Sequence, residues 1–318
     1  VADIRSIEST IAPEAFLSIN IWKHYCFLFS LPKCKKSGIF TGMILLDGKT
    51  LSQKIFAEMR SELAHIPKKV RLDVVIVGDH PVVEKFVSQK NKAAESIGSD
   101  FRIHRFDARI TTNELRKKIF DIAHNKTTTG LVVQLPLPEN INTQYILNSV
   151  IPEKDVDMLS SRAIGNFATG RSHIVPPVVG AVRAFLKEYS LTYAGKSVVL
   201  VGSGKLVGRP IAIDLLREHA TFSVVDEHTK DISEFIEHAD IIISGAGKPK
   251  LITADMVKEG VIAIDAGTSE SEGKLVGDID FDGVSKKASY ITPVPGGVGP
   301  VTVALLFKNL ITLAKLQK

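Results

Sequence analysis

The sequence predicts an α/β protein built from two α/β domains that face each other across a cleft, the C-terminal one Rossmann-like. Three observations carry this. Short β-branched runs alternate with stretches of helical spacing, a repetition that implies parallel strands joined by right-handed crossovers. The alternation runs once from Leu51 to Gln134 and again from near Gly180, with two prolines stiffening the stretch Ile174–Val178 between them. The length of 318 residues matches about two domains at roughly 150 residues each, enough for each to bury a core.

In the first unit, Arg71–Gly78 (RLDVVIVG) is short and β-branched, as a buried strand should be. Pro81–Gly98 follows with Val83, Phe86, Val87, Ala93, Ala94 and Ile97 at helical spacing, ending on a glycine C-cap. Phe101–Phe106 is a second strand. Thr111–His124 is a second helix, capped by Thr111 or Thr112 with Glu114 in its first turn, and Gly130–Gln134 a third strand. In the second unit, Gly180–Tyr189 is helical, Ser197–Gly202 (SVVLVG) a strand, Val207–His219 a helix and Thr221–Val225 a strand. Asp240–Ser244 (DIIIS) and Val261–Asp265 (VIAID) are further buried strands, and Val301–Lys315 closes the chain as an amphipathic helix.

Composition narrows the function classes. With 44% hydrophobic and 24% charged residues the chain is globular in type. Forty Lys and Arg against 35 Asp and Glu give a formal charge of +5, an excess without a dense basic cluster. That predicts no nucleic-acid partner and fits a phosphorylated small molecule instead. The two cysteines, Cys26 and Cys34, supply neither a disulfide framework nor a four-cysteine metal site. No metal and a reducing, cytoplasmic setting are expected. No apolar run approaches the ~20 residues of a membrane span, so no membrane partner is expected. Residues 1–42 read differently from the rest. Ile19–Leu31 (INIWKHYCFLFSL) is interrupted by Lys23 and His24, and Asp3, Glu8 and Glu14 precede it, which fits neither a secretory signal nor an acid-poor transit peptide. They are expected to be an extension outside the fold, with Met43 opening the regular part; a short docking or targeting segment is the alternative.

One motif carries chemistry by itself. Gly202-Ser203-Gly204-Lys205-Leu206-Val207-Gly208 leaves a strand and opens a helix. Glycines there let the backbone turn tightly beside a pyrophosphate at a helix N-terminus. Asp226 ends the next strand, where a carboxylate accepts hydrogen bonds from ribose hydroxyls. Gly202, Ser203, Gly204, Lys205, Val207, Gly208 and Asp226 are therefore candidate dinucleotide contacts.

Ile291–Thr302 reads ITPVPGGVGPVT, a run no periodicity explains. It closely resembles the signature of the bifunctional methylenetetrahydrofolate dehydrogenase/cyclohydrolase family. Val133–Pro138 (VQLPLP), Lys154–Asp157 (KDVD), Val207–Pro210 (VGRP) and Lys274–Asp280 (KLVGDID) with Phe281 match in the same order, from Met43 to the C-terminus. The resemblance implies a folate cleft between a catalytic domain at 43–175 and a Rossmann-like NAD(P)-binding domain at 176–299, with the helix at about 300–318 packing back on the first. It implies oxidation of 5,10-methylenetetrahydrofolate by NADP or NAD and hydrolysis of the methenyl product to 10-formyltetrahydrofolate, in a homodimer formed through the cofactor domain.

The family's Tyr-x-x-x-Lys motif falls on Phe86-Val-Ser-Gln-Lys90. By resemblance Lys90 is the principal group of the hydrolytic step, Gln134 orients it, and Asp157 holds the pterin N–H groups. Phe86 keeps an aromatic face for stacking and lacks the tyrosine hydroxyl. Pro295, Gly296 and Gly297 lie along the pterin and nicotinamide, while Gly245 and Thr268 reach the dinucleotide; Asp155 is either a site residue or structural. Other departures are Val83 for a serine, Val175-Pro-Pro-Val-Val179 for Pro-Cys-Thr-Pro, and Met158 for a glycine, which predicts an altered turn. Ser203 and Gly204 stand where Arg-Ser is usual, and Asp226-Glu227-His228 where His-Ser-Arg is. Losing an arginine and gaining two acids favours NAD on charge grounds. The alternatives are a member retaining one activity, a non-catalytic folate- or nucleotide-binding paralogue, and an unrelated two-domain amino-acid or shikimate-type dehydrogenase, which leaves ITPVPGGVGP unexplained.

Overall fold

A computed structural model describes residues 42–271 and 274–317; the expectations for the extension, with Trp22, Cys26 and Cys34, lie outside the described residues. Strand β1 (Ile44–Leu45) leads into helix α1 (Gly48–Ala64), whose N-cap Asp47 accepts hydrogen bonds from the backbone N–H groups of Lys49 and Thr50. The first parallel sheet follows: β2 (Arg71–Val77), α2 (Pro81–Ile97), β3 (Asp100–Phe106), α3 (Thr112–His124) and β4 (Gly130–Val133), in the order β3-β2-β4. α2 begins at a proline and ends on Gly98 at φ 79°. Thr111, of the two threonines, caps α3, and Glu114 completes the reciprocal box.

Short helices α4 (Thr143–Leu147) and α5 (Ser161–Ala168) lead to α6 (Pro177–Glu188). α6 starts three residues before the expected Gly180, because Pro177 has the fixed φ and missing N–H that suit a first helical position. The second unit continues with β5 (Ser197–Val201), α7 (Gly208–Arg217), β6 (Thr221–Val225), α8 (Ser233–Ile236), β7 (Ile241–Ser244) and β8 (Ile262–Asp265). The hairpin β9 (Ser269–Ser271) and β10 (Lys274–Val276), α9 (Phe281–Val284), β11 (Tyr290–Ile291) and α10 (Val298–Leu316) complete the chain. The large sheet is parallel in the order β1-β11-β8-β7-β5-β6. β5 therefore lies between β6 and β7, and the chain reverses its direction of travel across the sheet there, the position at which open α/β sheets bind ligands.

The stretch Ile174–Val178 separates the two sheets, and the chain ends cross that division. β1 pairs with β11 in the large sheet, and α10 packs on α1, α2 and α6. Val74 and Ile76, Leu200 and Ile243, and Phe307, Leu310 and Ile311 of α10 belong to one continuous buried cluster. Each such side chain contributes about 1.5–3 kcal/mol by leaving water. α10 corrects one expectation: its 19 residues are apolar enough to match a membrane span by length and composition. Its buried side chains are spent on the core, and Lys308 and Lys315 pair with Glu62.

Candidate active site

Between the carboxyl ends of the two sheets lies a cavity of about 860 Å³, lined on one side by Phe86, Lys90, Gln134 and Asp157. α2 places Phe86 and Lys90 one turn apart on the face turned to the cavity, as residues i and i+4 must be. Phe86 is 37% exposed and Lys90 only 9%. Val83, one turn earlier, is buried in the core. Gln134 follows β4, and its backbone N–H donates to the Val75 carbonyl at 2.9 Å. Its side-chain Oε1 accepts from Lys90 Nζ at 2.8 Å, and its Nε2 donates to the Leu135 carbonyl at 3.0 Å. Burial draws the Lys90 amine below the usual lysine range, against the opposing pull of Asp157. Burial pushes the Asp157 carboxyl up, against the pull of Lys90. Asp157 keeps some surface on the cavity, yet protein surrounds its carboxylate closely enough for desolvation to dominate.

Asp155 has a structural task. Its carboxylate accepts from Ser160 N at 2.9 Å and Leu159 N at 3.3 Å, and burial raises it to about 6. It thereby closes the turn that presents Asp157. Within that turn Met158 has φ 56°, so a residue with a side chain takes a conformation open to glycine and the backbone stays within a glycine's range. Asn309 of α10 braces the same segment from behind, donating to the carbonyls of Val156 at 2.9 Å and Val175 at 2.7 Å.

Across the cavity stand Lys205, Val207 and Thr268, with Pro295, Gly296 and Gly297 along one edge and Pro176, Pro177 and Val178 forming an apolar wall. Gly202, Ser203, Gly204, Gly208, Asp226 and Gly245 are not part of this lining; they gather around the carboxyl ends of β5, β6 and β7. Gly202 has φ 101°, and a Cβ on Gly208 would fall 2.1 Å from the Gly202 oxygen, so the turn closes only with glycine at both places. Ser203 Oγ donates to Asp226 Oδ2 at 2.7 Å and holds that carboxyl below the usual range. Lys205 Nζ donates to Gln144 Oε1 at 3.3 Å, joining the turn to α4. Sequence reasoning missed Lys49, Phe56, Asp265 and Leu275, all in the cavity lining. Of these, Asp265 had a signal, a carboxylate ending an otherwise apolar strand. Among the described residues no cluster of three or more His, Cys, Asp or Glu is placed to hold a metal ion.

Residues 46–157 match the catalytic domain, and residues 176–318 the NAD(P)-binding domain, of the tetrahydrofolate dehydrogenase/cyclohydrolase family. The bifunctional protein FolD of Nautilia profundicola is 44% identical over 277 residues, covering 86% of this chain and 98% of that protein. The crystal structure of the bifunctional enzyme FolD, a methylenetetrahydrofolate dehydrogenase/cyclohydrolase from Campylobacter jejuni, aligns with a TM-score of 0.85 at 42% identity, over 87% of this chain and 100% of that one. The Trypanosoma brucei N5,N10-methylenetetrahydrofolate dehydrogenase-cyclohydrolase, complexed with NADP cofactor and inhibitor, aligns at 0.82 with 34% identity, over 86% and 98%.

Proposed function

The chain belongs to the tetrahydrofolate dehydrogenase/cyclohydrolase family, and from that premise we propose how its cleft divides the labour of the two reactions. It is a bifunctional methylenetetrahydrofolate dehydrogenase and methenyltetrahydrofolate cyclohydrolase of one-carbon folate metabolism. The observation that carries the residue assignment is the Lys90–Gln134 pair, 2.8 Å apart and nearly closed to water, beside Asp157.

Asp157 holds the pterin by its N–H groups, and Phe86 offers a ring face to the folate. Pro295, Gly296 and Gly297 bound the reacting carbon on the far side. The residues around β5 fit a dinucleotide: a turn closed by Gly202 and Gly208, and a carboxylate, Asp226, at the adjoining strand end. When bound, the dinucleotide supplies the hydride acceptor that turns the methylene carbon into the methenyl cation. The chain's part in that step is position, because the two reactants must be held face to face. Water then adds to the cation. Lys90, drawn toward its neutral form by burial, takes the proton from that water and returns it as the ring opens. Gln134 Oε1 occupies one N–H of the amine and so aims the rest of it at the reacting carbon.

We infer NAD as the working cofactor. A 2′-phosphate would meet Asp226 and Glu227 with serine and glycine where an arginine would be needed, and Ser203 already donates to Asp226. A homodimer through the second domain, with its edge strand β6, is the assembly we infer. Both readings are open to direct measurement. Methenyl formation from the methylene substrate is followed with NAD and with NADP, and the decay of supplied methenyl substrate is followed without nucleotide. Both activities and a higher kcat/KM with NAD are expected; equal efficiencies or a preference for NADP defeat the cofactor reading, and nucleotide-free hydrolysis at the buffer rate defeats the role of Lys90. Sedimentation at micromolar concentration decides the dimer.

A further inference from the structure

Asp278, in the segment Lys274–Asp280, is fully buried. It accepts hydrogen bonds from Ser244 Oγ at 2.8 Å, Ala246 N at 2.7 Å and Gly247 N at 3.3 Å on Oδ2, and from Lys248 N at 2.9 Å on Oδ1. One carboxylate thus gathers the stretch that leaves β7. The stretch that leaves β8 lies against the same group, since a Cβ on Gly267 would fall 2.1 Å from Asp278 Cγ. A second buried carboxylate continues the chain of contacts. Asp265, the last residue of β8, accepts from Gly267 N at 2.9 Å and from Ile279 N, next to Asp278, at 2.8 Å. Its own N–H donates to Thr292 Oγ1 at 2.7 Å, immediately before Pro293–Gly297. A Cβ on Gly277 would fall 2.1 Å from Asp265 Oδ2.

We propose that Asp278 and Asp265 are positioning residues for hydride transfer: together they tie the loop after β7, the loop after β8 and the root of the Pro293–Gly297 loop into one rigid body. Burying a carboxylate costs several kcal/mol unless its oxygens are hydrogen-bonded, and here two are buried side by side at the carboxyl ends of β7 and β8, at the edge of the cavity. The bonds they accept come from Ser244 Oγ, from the backbone of the loops after β7 and β8, and from Ile279 N beside Asp278; the loop along the pterin is joined through the Asp265 N–H, which donates to Thr292 Oγ1. The device therefore holds hydride donor and acceptor in register, a geometry in which about 1 Å of displacement costs on the order of a hundredfold in rate. The inference rests on the assignment of Gly245 and Thr268 to the dinucleotide side.

Asp278→Asn keeps the shape and sets an amide NH₂ among N–H donors. The expected result is a rise of about tenfold or more in KM for the dinucleotide and a comparable fall in dehydrogenase kcat. Nucleotide-free hydrolysis of supplied methenyl substrate should stay within about twofold, because Lys90 and Gln134 lie across the cleft on other elements. Ser244→Ala removes one of the four donors, leaves the carboxylate in place and is the variant to rely on if Asp278→Asn does not fold; a several-fold rise in dinucleotide KM with unchanged hydrolysis is expected. Unchanged dinucleotide KM in the folded variants, or proportional loss of both activities, overturns the proposal. Calorimetric titration with NAD and NADP separates the two ways of failing. No binding to the native protein removes the loop assignment, whereas equal binding to native and variant removes the positioning role alone.

Discussion

Lys90 has most of its surface removed from water and no carboxylate within hydrogen-bonding reach among its described contacts, only the amide oxygen of Gln134. An amide steadies an amine without fixing a proton on it as a carboxylate would, which leaves the amine free to exchange protons. Lys90→Met is expected to lower cyclohydrolase turnover by at least about a hundredfold while folate still binds. Stopped-flow decay of the methenyl substrate beside a fluorescence binding curve checks this, and hydrolysis at the native rate would remove Lys90 from the mechanism. Cofactor choice belongs to the same scale. Near a surface a unit charge pair at ~4 Å is worth ~4 kcal/mol before screening, and salt and side-chain motion leave about 1.4–2.8 kcal/mol, or one to two orders of magnitude. Asp226→Ser combined with Ser203→Arg should move the ratio of catalytic efficiencies toward NADP by that amount; an unmoved ratio would show that Lys205 or Arg209 governs the phosphate.

At the scale of elements, helix α10 does more than fill the core. Asn309, 4% exposed on the buried face of α10, donates to the carbonyl of Val156, next to Asp157, and to that of Val175, within the link between the two sheets. Asn309→Leu would leave the buried Val156 carbonyl and the half-buried Val175 carbonyl without this donor, at about 1–3 kcal/mol for the buried one. Since Val156 precedes Asp157, the variant should melt several degrees lower and show a raised KM for folate. A lower melting temperature with an unaltered folate KM would confine Asn309 to stability. The glycine-rich turn is likewise a property of an element. Gly208→Ala puts a methyl into the Gly202 carbonyl, so the β5–α7 turn must open; dinucleotide affinity should drop about tenfold or more while nucleotide-free hydrolysis persists. Equal affinity in the alanine variant would show that the turn relaxes without consequence.

For the whole molecule, the buried carboxylates shape stability against pH. Burial raises Asp265 to about 7 and Asp155 to about 6. Unfolded, both release their protons near the ordinary aspartate value of about 4. Between pH 4 and 7 the folded state therefore holds more protons than the unfolded one, and stability falls as pH rises through that window. Several surface carboxylates, Asp47, Asp226 and Asp240 among them, are held low by hydrogen bonds and act in the opposite sense, below pH 4. The melting temperature should pass through a maximum near pH 4 and decline toward pH 7. Asp265→Asn should flatten that decline; a profile equally steep in the variant would assign the dependence to other groups.

The sequence by itself determined the central strands and longer helices of the two α/β units, but not α1 or the short elements β1, α4, α5, α8, α9 and β9–β11. β-branched runs such as DIIIS and VIAID are buried on both faces in a parallel sheet, so composition alone announces them. Gly202 and Gly208 are demanded by a local turn, and a local demand is legible locally. The run ITPVPGGVGPVT was legible only through its resemblance to a family. The tertiary structure decided which distant residues meet. The Lys90–Gln134 bond spans 44 positions in the chain and the Ser244–Asp278 bond 34. It placed β1 beside β11, because an edge strand of two residues needs a partner that no pattern within it specifies. It also gave Asp155, Asp265 and Asp278 their tasks. An aspartate in a string of letters is a solvated surface charge by default; what makes it a clamp is the set of N–H groups folded around it, and those come from other elements.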